Sequence, residues 1–348
     1  MPNQRDIATA LGLNQATVSL ALRGDPSIPA KTRALVLEAA RRLGYQPNSY
    51  ISSLMAHVRA GRPLQDKGCI GLLVDSTSSR NWLEPDPYQK YYRGITRRAE
   101  QLGFHTECFF LQATGMNAPR IDRILHARGI TGVIITAPWR STPQPLVMHW
   151  ERYAAITTGY SWKAPDVDRV ANDQYKNVLI AYGQLFQRGY RRIGLCLPPR
   201  HAEATLSRWL GGYAQCEQQF QGGPQIPTFF GTPADTALTL FRGWLRKWKP
   251  EAIITLIGHE MEWLQELKLR VPEELAIVSV VRPAGSDFAG VEESNETIGE
   301  ITVDLVSSQI FRNEFGLPEK PKLVLVEGHW VNGPTIADHA PLPRRKKR

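Results

Sequence analysis

Apolar positions recur along this chain in two rhythms. Over residues 4–43 they return every three to four residues, the period of helices with one buried face. Ile7, Ala8 and Leu11 share a face of a first helix, and Gly12 stops it because glycine enters the left-handed C-cap without strain. Asn14 can cap a second helix, Gln15–Leu22, whose Val18 and Leu22 lie a turn apart and point inward. A third helix is predicted from near Pro29, in its first turn, to Leu43, with Gly44 at its end and a stripe of Leu35, Val36, Ala39, Ala40 and Leu43. Beyond Gly44-Tyr45-Gln46-Pro47, Asn48 can cap a short helix through Ile51, Leu54 and Met55, one too brief to be stable alone.

From Cys69 onward short apolar runs alternate with amphipathic stretches. Strands are predicted at 69–74, 106–111, 132–137, 154–158, 192–197, 226–230, 252–257 and 275–281. Helices are predicted between them at 88–102, 173–188, 206–221 and 234–249. Such alternation means parallel sheets covered on both faces, with ligands at the C-terminal ends of the strands. A change of character near residue 160 predicts two subdomains around a cleft.

Charge changes this picture where it is concentrated. The net charge is +9, and the segment 1–64 holds eight Lys/Arg against three acids. The last five residues, Arg344-Arg345-Lys346-Lys347-Arg348, are all basic, which leaves the stretch between close to neutral. A compact basic helical module suits phosphate neutralisation, whereas a basic tail is usually solvated. The 348 residues suffice for two or three domains at roughly 150 each. No apolar run reaches the roughly 18–20 residues of a membrane span. Met1-Pro2-Asn3-Gln4-Arg5-Asp6 lacks a secretory pattern, so a cytoplasmic protein is expected. Cys69, Cys108, Cys196 and Cys216 are widely spaced and read as reduced thiols, with no metal site and no cofactor implied.

Two short helices joined at a glycine and closed by a third follow the helix-turn-helix plan, in which the second helix enters the major groove. An ordinary three-helix interaction bundle has the same pattern. The run Ala16-Thr17-Val18-Ser19-Leu20-Ala21-Leu22, with Ala39-Ala40-Arg41-Arg42-Leu43-Gly44-Tyr45-Gln46-Pro47-Asn48, resembles the lactose/galactose repressor (LacI/GalR) family. The resemblance is close over this module and continues in outline through Gly71-Leu72-Leu73-Val74, Gly189-Tyr190-Arg191-Arg192-Ile193-Gly194 and Val271-Pro272-Glu273-Glu274.

It implies a fold: an N-terminal all-α helix-turn-helix module plus hinge helix, then a C-terminal α/β periplasmic-binding-protein-like core of two parallel-sheet subdomains. The expected division is 1–46 for DNA binding, 47–66 for hinge and linker, 67–340 for the effector-binding and dimerisation core, and 341–348 for the basic tail. Subdomain one would take 67–158 and 290–318, and subdomain two 159–289 and 319–340. The late segments Gly299–Phe311 and Leu323–Trp330 would return to the first and second subdomains respectively.

The resemblance also implies roles. Gln15, Ala16 and Leu20 match base-reading positions, and Thr17 and Ser19 match contacts to phosphate and sugar. Asn48 caps the hinge, and Leu54 matches a leucine that wedges into the minor groove at the operator centre. The implied function is a repressor that binds a pseudo-palindromic DNA operator as a homodimer, with pairing into tetramers open, under control of a small-molecule effector. The carboxylates that commonly meet sugar hydroxyls in the family are replaced here by Gly258-His259 and Val281-Arg282. Candidate effector contacts are Asp75, Tyr88, Trp139, Arg208, His259 and Arg282, which would suit a sugar-like or an anionic ligand. Trp82 and Trp162 also follow predicted strands, where a ring can stack on a sugar or simply pack. An enzyme is disfavoured: there is no phosphate-binding glycine loop, GxSxG elbow or HExxH, and His259-Glu260 is a lone pair. A cytosolic solute receptor and an effector-independent DNA-binding regulator remain the competing classes.

Overall fold

The computed structural model of the chain describes residues 4–22, 28–43, 45, 68–138, 145–220, 225–231, 236–256 and 259–338. The chain divides into two compact units, one N-terminal and one carrying both sheets. The N-terminal unit comprises α1 (Gln4–Leu11), α2 (Gln15–Leu22) and α3 (Ala30–Arg42). Ile7, Val18 and Val36 are fully buried, and Ala8, Ala21, Ile28, Ala39 and Ala40 complete the core. Gly12 turns the chain at φ +64° with open space where a Cβ would stand, so backbone conformation and not crowding requires glycine there. Leu35, expected on the inner stripe of α3, is 49% exposed. It sits one position, about 100° of helix rotation, from the buried Val36, and the narrow inner face closes over Val36, Ala39, Ala40 and Leu43 without it. The predicted hinge helix with Asn48 and Leu54, and the basic tail, lie outside the described residues.

The second unit begins with β1 (Gly68–Val74), α4 (Ser79–Trp82), α5 (Asp86–Gln101), β2 (Phe104–Phe110), α6 (Ala118–Ala127) and β3 (Gly132–Ile135). It continues with β4 (Ala154–Thr158), β5 (Asp168–Asn172), α7 (Gln174–Gln187), β6 (Ile193–Leu195), α8 (Pro199–Ala204) and α9 (Arg208–Gln219). The remainder is α10 (Ala237–Trp248), β7 (Ala252–Thr255), α11 (His259–Glu266), β8 (Ala276–Ser279), β9 (Ala289–Glu292), α12 (Asn295–Arg312), β10 (Leu323–Val326) and β11 (His329–Val331). Among the described residues the strands form a six-stranded sheet, β10-β5-β4-β3-β1-β2, and a five-stranded sheet, β11-β9-β8-β7-β6. The pairings β1–β3, β3–β4, β4–β5 and β5–β10 are parallel, as are β6–β7, β7–β8 and β8–β9. β11 runs antiparallel to β9. The central strands β3, β4, β7 and β8 are buried along their whole length, as strands covered on both faces must be.

The division between subdomains differs from the expected one. The chain leaves the first sheet after β5, at Asn172, and not near residue 159. β9 belongs to the second sheet, and β10 to the first, where residues 290–292 and 323–326 had been expected on the opposite sides. Of the segment 323–330, only its end, β11, joins the second sheet. β5 opens on Asp168-Arg169 and carries no apolar run, so periodicity does not announce it. Asp168 is nonetheless buried, because the Lys322 backbone N–H donates to it at 2.7 Å and the Lys322 ammonium stands at 3.5 Å. The stretch 226–230, expected as a strand, makes only an isolated bridge from Phe229 to Cys196. Cys196 and Cys216 are buried, Cys69 and Cys108 half-buried, and all four are free.

Candidate functional site

In the N-terminal unit the sequence-predicted DNA contacts lie on the outward face of α2. The Asn14 side-chain oxygen accepts from the Ala16 N–H at 2.9 Å and caps the helix start. Val18 and Ala21 anchor the inner face, which leaves Gln15 and Ala16 exposed and Thr17 and Ser19 half-exposed on the outer one. Arg5 of α1 donates through Nε to Gln15 Oε1 at 3.3 Å, so the first two helices share this surface. Leu20 packs half-buried against the helical core, so only part of its side chain is available to a base.

In the second unit the C-terminal ends of the strands gather the candidate effector contacts. The chain passes between the sheets three times, at Asn172–Gln174, Glu293–Asn295 and Glu327–Gly328. These passages are tied together. Asn172 Nδ2 donates to Asn295 Oδ1 at 2.9 Å and to the Tyr91 hydroxyl at 3.0 Å, and the Gly328 N–H donates to Asn177 Oδ1 at 3.1 Å. Arg208, at the start of α9, lies with its guanidinium 4.4 Å from the centre of the Tyr160 ring, which follows β4. Arg169 of β5 approaches the same ring at 5.8 Å. The cleft thus joins a cation from the second subdomain to an aromatic face of the first.

Several buried polar atoms here have no protein partner. They are the Tyr160 hydroxyl, Asn172 Oδ1, Gln174 Oε1 and Arg208 Nε. Native proteins rarely leave such atoms unmet, and a set holding both donors and acceptors matches groups that do both, as alcohols do. Beside them Glu293 is buried, and burial pushes its carboxyl up to about 7 against the opposing hydrogen bond of Asn295 and charge of Lys90. Burial next to Glu293 likewise raises the phenols of Tyr88 and Tyr91 well above their ordinary value.

The sequence-predicted effector residues fare differently. Asp75 stands at the end of β1, half-buried, and accepts from Gln112 Nε2 at 2.7 Å. Tyr88 is buried in α5 with its ring edge-on to Tyr91. Arg208 is in the cleft as described. Arg282 is committed elsewhere: its guanidinium pairs with Glu292 at 3.0 Å and donates to the Phe288 carbonyl at 2.7 Å and to that of Ser286. It shapes the loop between β8 and β9 and is not an open anion receptor. Trp162 is a core residue whose Nε1 donates to the Thr136 carbonyl at 2.8 Å. His259 is the first residue of α11, and Glu260 accepts from Thr255 Oγ1 at 2.6 Å, a structural bond. Trp139 lies outside the described residues. Sequence reasoning missed Tyr160, Asn172, Gln174 and Glu293. Tyr160 stands two residues past β4, a strand the sequence does announce, whereas Asn172, Gln174 and Glu293 stand at or just past the ends of β5 and β9, which the apolar pattern does not announce. No group of metal-ligating side chains occurs among the described residues, and no described helix is long and apolar enough to cross a membrane.

Comparison with known proteins follows the same division. Residues 4–48 match the profile of bacterial regulatory proteins of the lacI family. Residues 67–228 match periplasmic binding proteins and the sugar binding domain of the LacI family, and residues 182–335 match a periplasmic binding protein-like domain. The chain is 23% identical to the HTH-type transcriptional regulator CelR of Thermobifida fusca, over 94% of this chain and 96% of that protein. It is 29% identical to the HTH-type transcriptional regulator AglR of Rhizobium meliloti (strain 1021), over 60% of this chain and 56% of that one. Among solved structures, a complex of the transcriptional regulator CelR with cellobiose superposes with a TM-score of 0.60 at 19% identity, covering 96% of this chain and all (100%) of that one. A lac repressor dimer bound to operator and the anti-inducer ONPF superposes at 0.56 and 19%, covering 97% and 99%.

Proposed function

Because this chain belongs to the lacI family of DNA-binding transcription regulators, we propose that it is a repressor whose operator binding is governed by a neutral, polyhydroxylated effector held in the cleft of its second unit. Two protomers present two copies of α2 to a pseudo-palindromic operator, matching protein symmetry to DNA symmetry. Gln15 and Ala16 face base edges, and Thr17 and Ser19 face the backbone. The hinge residues Asn48 and Leu54 keep the role that the family resemblance gives them.

The observation that carries the effector class is the set of unpartnered polar atoms around Tyr160, Asn172, Gln174 and Arg208. A sugar hydroxyl donates to Asn172 Oδ1 or Gln174 Oε1 while accepting from Arg208 Nε or the Tyr160 hydroxyl. The Tyr160 ring is covered by the Arg208 guanidinium and so holds that donor at the site. An anionic effector is disfavoured, since Arg282 is neutralised by Glu292 and Glu293 stands nearby. The effector acts by binding one conformation of the core more tightly than the other, which shifts the population competent for DNA.

Selection of bound duplexes from a random library at two salt concentrations tests the DNA half. An inverted repeat should be enriched, and affinity should fall as salt rises. Adding a panel of mono- and disaccharides and of organic acids to the operator complex tests the effector half. Release or tightening by a sugar is the expected result. A response to acids alone would reverse the assignment of effector class.

A further inference from the structure

At the pole of the second subdomain opposite the cleft, α10 and the segment leading from α11 into β8 enclose a trough of roughly 360 Å³. It lies at the N-terminal ends of β7 and β8, since Lys249 and Pro250 precede the one and Glu274 and Leu275 the other. Arg242, Leu245, Arg246 and Lys249 follow the spacing i, i+3, i+4, i+7 and share one side of α10. The opposite side of α10, Phe241 and Trp244, is buried with Phe229 and fixes the helix. Across the trough stand Leu267 and Leu269, half-buried, and the buried Leu275.

The rim carries three cations, Arg242, Arg246 and Lys249, and one carboxylate, Glu274. Arg242, Arg246 and Lys249 are exposed and form no ion pair with any described carboxylate. Neighbouring charges do find partners: Arg192 pairs with Glu251 at 3.1 Å and Glu274 with Arg270 at 3.2 Å. Basic residues in a last helical turn are favoured by the helix dipole, which accounts for Arg246. It does not account for Arg242, more than a turn earlier. Backbone conformation adds a separate observation. Lys249 ends α10 at φ +49°, and Lys268, between Leu267 and Leu269, stands at φ +55°. Glycine is the residue that enters this left-handed conformation freely, yet both walls end in lysine. Strained positions that retain a large side chain point to a use beyond folding.

We infer that this trough is a second ligand site, built for an amphipathic organic anion. Its apolar body rests on Leu245, Leu267, Leu269 and Leu275. Its carboxylate or phosphate lies between Arg242, Arg246 and Lys249, where two guanidinium forks a turn apart can share an oxyanion. Nine residues line the trough, against roughly 20–30 a side in a stable protein interface, so a small molecule fits better than a protein partner. This inference is independent of the effector assigned to the cleft.

Calorimetric titration of the full chain with four probes tests it: octanoate, octyl phosphate, octyl glucoside and inorganic phosphate, all below their aggregation concentrations. The two amphipathic anions should bind at least ~10-fold more tightly than the neutral glucoside or the bare phosphate. The double substitution Arg242→Gln with Arg246→Gln should lose that preference, while Lys249→Gly should weaken binding with an unchanged or higher Tm. Arg208→Gln, in the cleft, should leave octyl phosphate binding as it was. The inference fails if the glucoside binds as tightly as octyl phosphate, if no probe binds, if the double variant keeps its affinity, or if Arg208→Gln abolishes it.

Discussion

Gly94 of α5 and Glu296 of α12 meet main chain to main chain. A Cβ at Gly94 would stand 2.1 Å from the Glu296 carbonyl oxygen, and one at Gly299 would stand 2.4 Å from that of Tyr91. The crossing is flanked by Arg93–Glu296 at 2.6 Å and Arg98–Asp304 at 2.6 Å. It seats α12 where the chain re-enters the first subdomain, so Asn295 at its start can meet Asn172. The close approach, rather than the ion pairs, sets its stability. Gly94→Ala should cost about 2–3 kcal/mol, because backbone cannot yield as a side-chain end would. Arg93→Ala, with a half-exposed pair, should cost under about 1 kcal/mol. Thermal unfolding of the two variants separates them. Equal losses would mean that the helices part readily and that their charges hold them.

Helix-forming segments were legible where one face alternates cleanly. The segment Gln174–Gln187 was read within a residue of its ends, and Ala154–Thr158 was read at its observed bounds. What was hidden is where the chain changes sheets. β5, with the sequence Asp168-Arg169-Val170-Ala171-Asn172, has its buried Asp168 satisfied by Lys322 from a distant part of the chain, and no local rhythm carries that information. Asn172 and Gln174 were lost from the candidate site with it. Arg282 failed in the opposite direction: a guanidinium after a strand looks available in sequence, and Glu292, ten residues away, occupies it. α2 was legible because its inner and outer residues belong to one short segment.

Gln15 is exposed and Thr17 partly so, on a helix whose inner face is fixed by Val18 and Ala21. Gln15→Ala should change base preference at one position of each half-site, at a cost of about 1–3 kcal/mol for the preferred sequence. Thr17→Ala should weaken all sequences alike. Comparing the selected motifs of the wild type and the two variants decides the matter. An unchanged motif for Gln15→Ala would remove it from base reading.

The Tyr160 hydroxyl is buried without a partner in the free protein. Removing it in Tyr160→Phe should therefore leave the unliganded Tm unchanged or slightly higher. If the hydroxyl meets the effector, the same substitution should weaken binding about 10-fold, the size of one hydrogen bond. The readout is the ligand-induced rise in Tm, which falls with affinity. A lower unliganded Tm with full ligand response would make Tyr160 a packing residue.

Glu293 supplies a pH dependence whose sign can be worked out. Burial raises its carboxyl from the ordinary 4.5 to about 7, with Lys90 and the Asn295 hydrogen bond pulling the other way and the phenols of Tyr88 and Tyr91 packed close. The folded chain therefore holds a proton between these two values that the unfolded chain has released. Stability from this group is full below about 4.5, declines as pH rises, and is lost above about 7. The ceiling is about 3 kcal/mol. Glu293→Gln keeps the shape and removes the titration, so it should unfold at nearly the same temperature as the wild type at pH 5 and at a higher one at pH 8. The opposing outcome is that the Asn295 hydrogen bond and the charge of Lys90 hold the carboxylate ionised at neutral pH. In that case the variant would be less stable than the wild type at pH 8, and the Tm difference across the two pH values would carry the opposite sign.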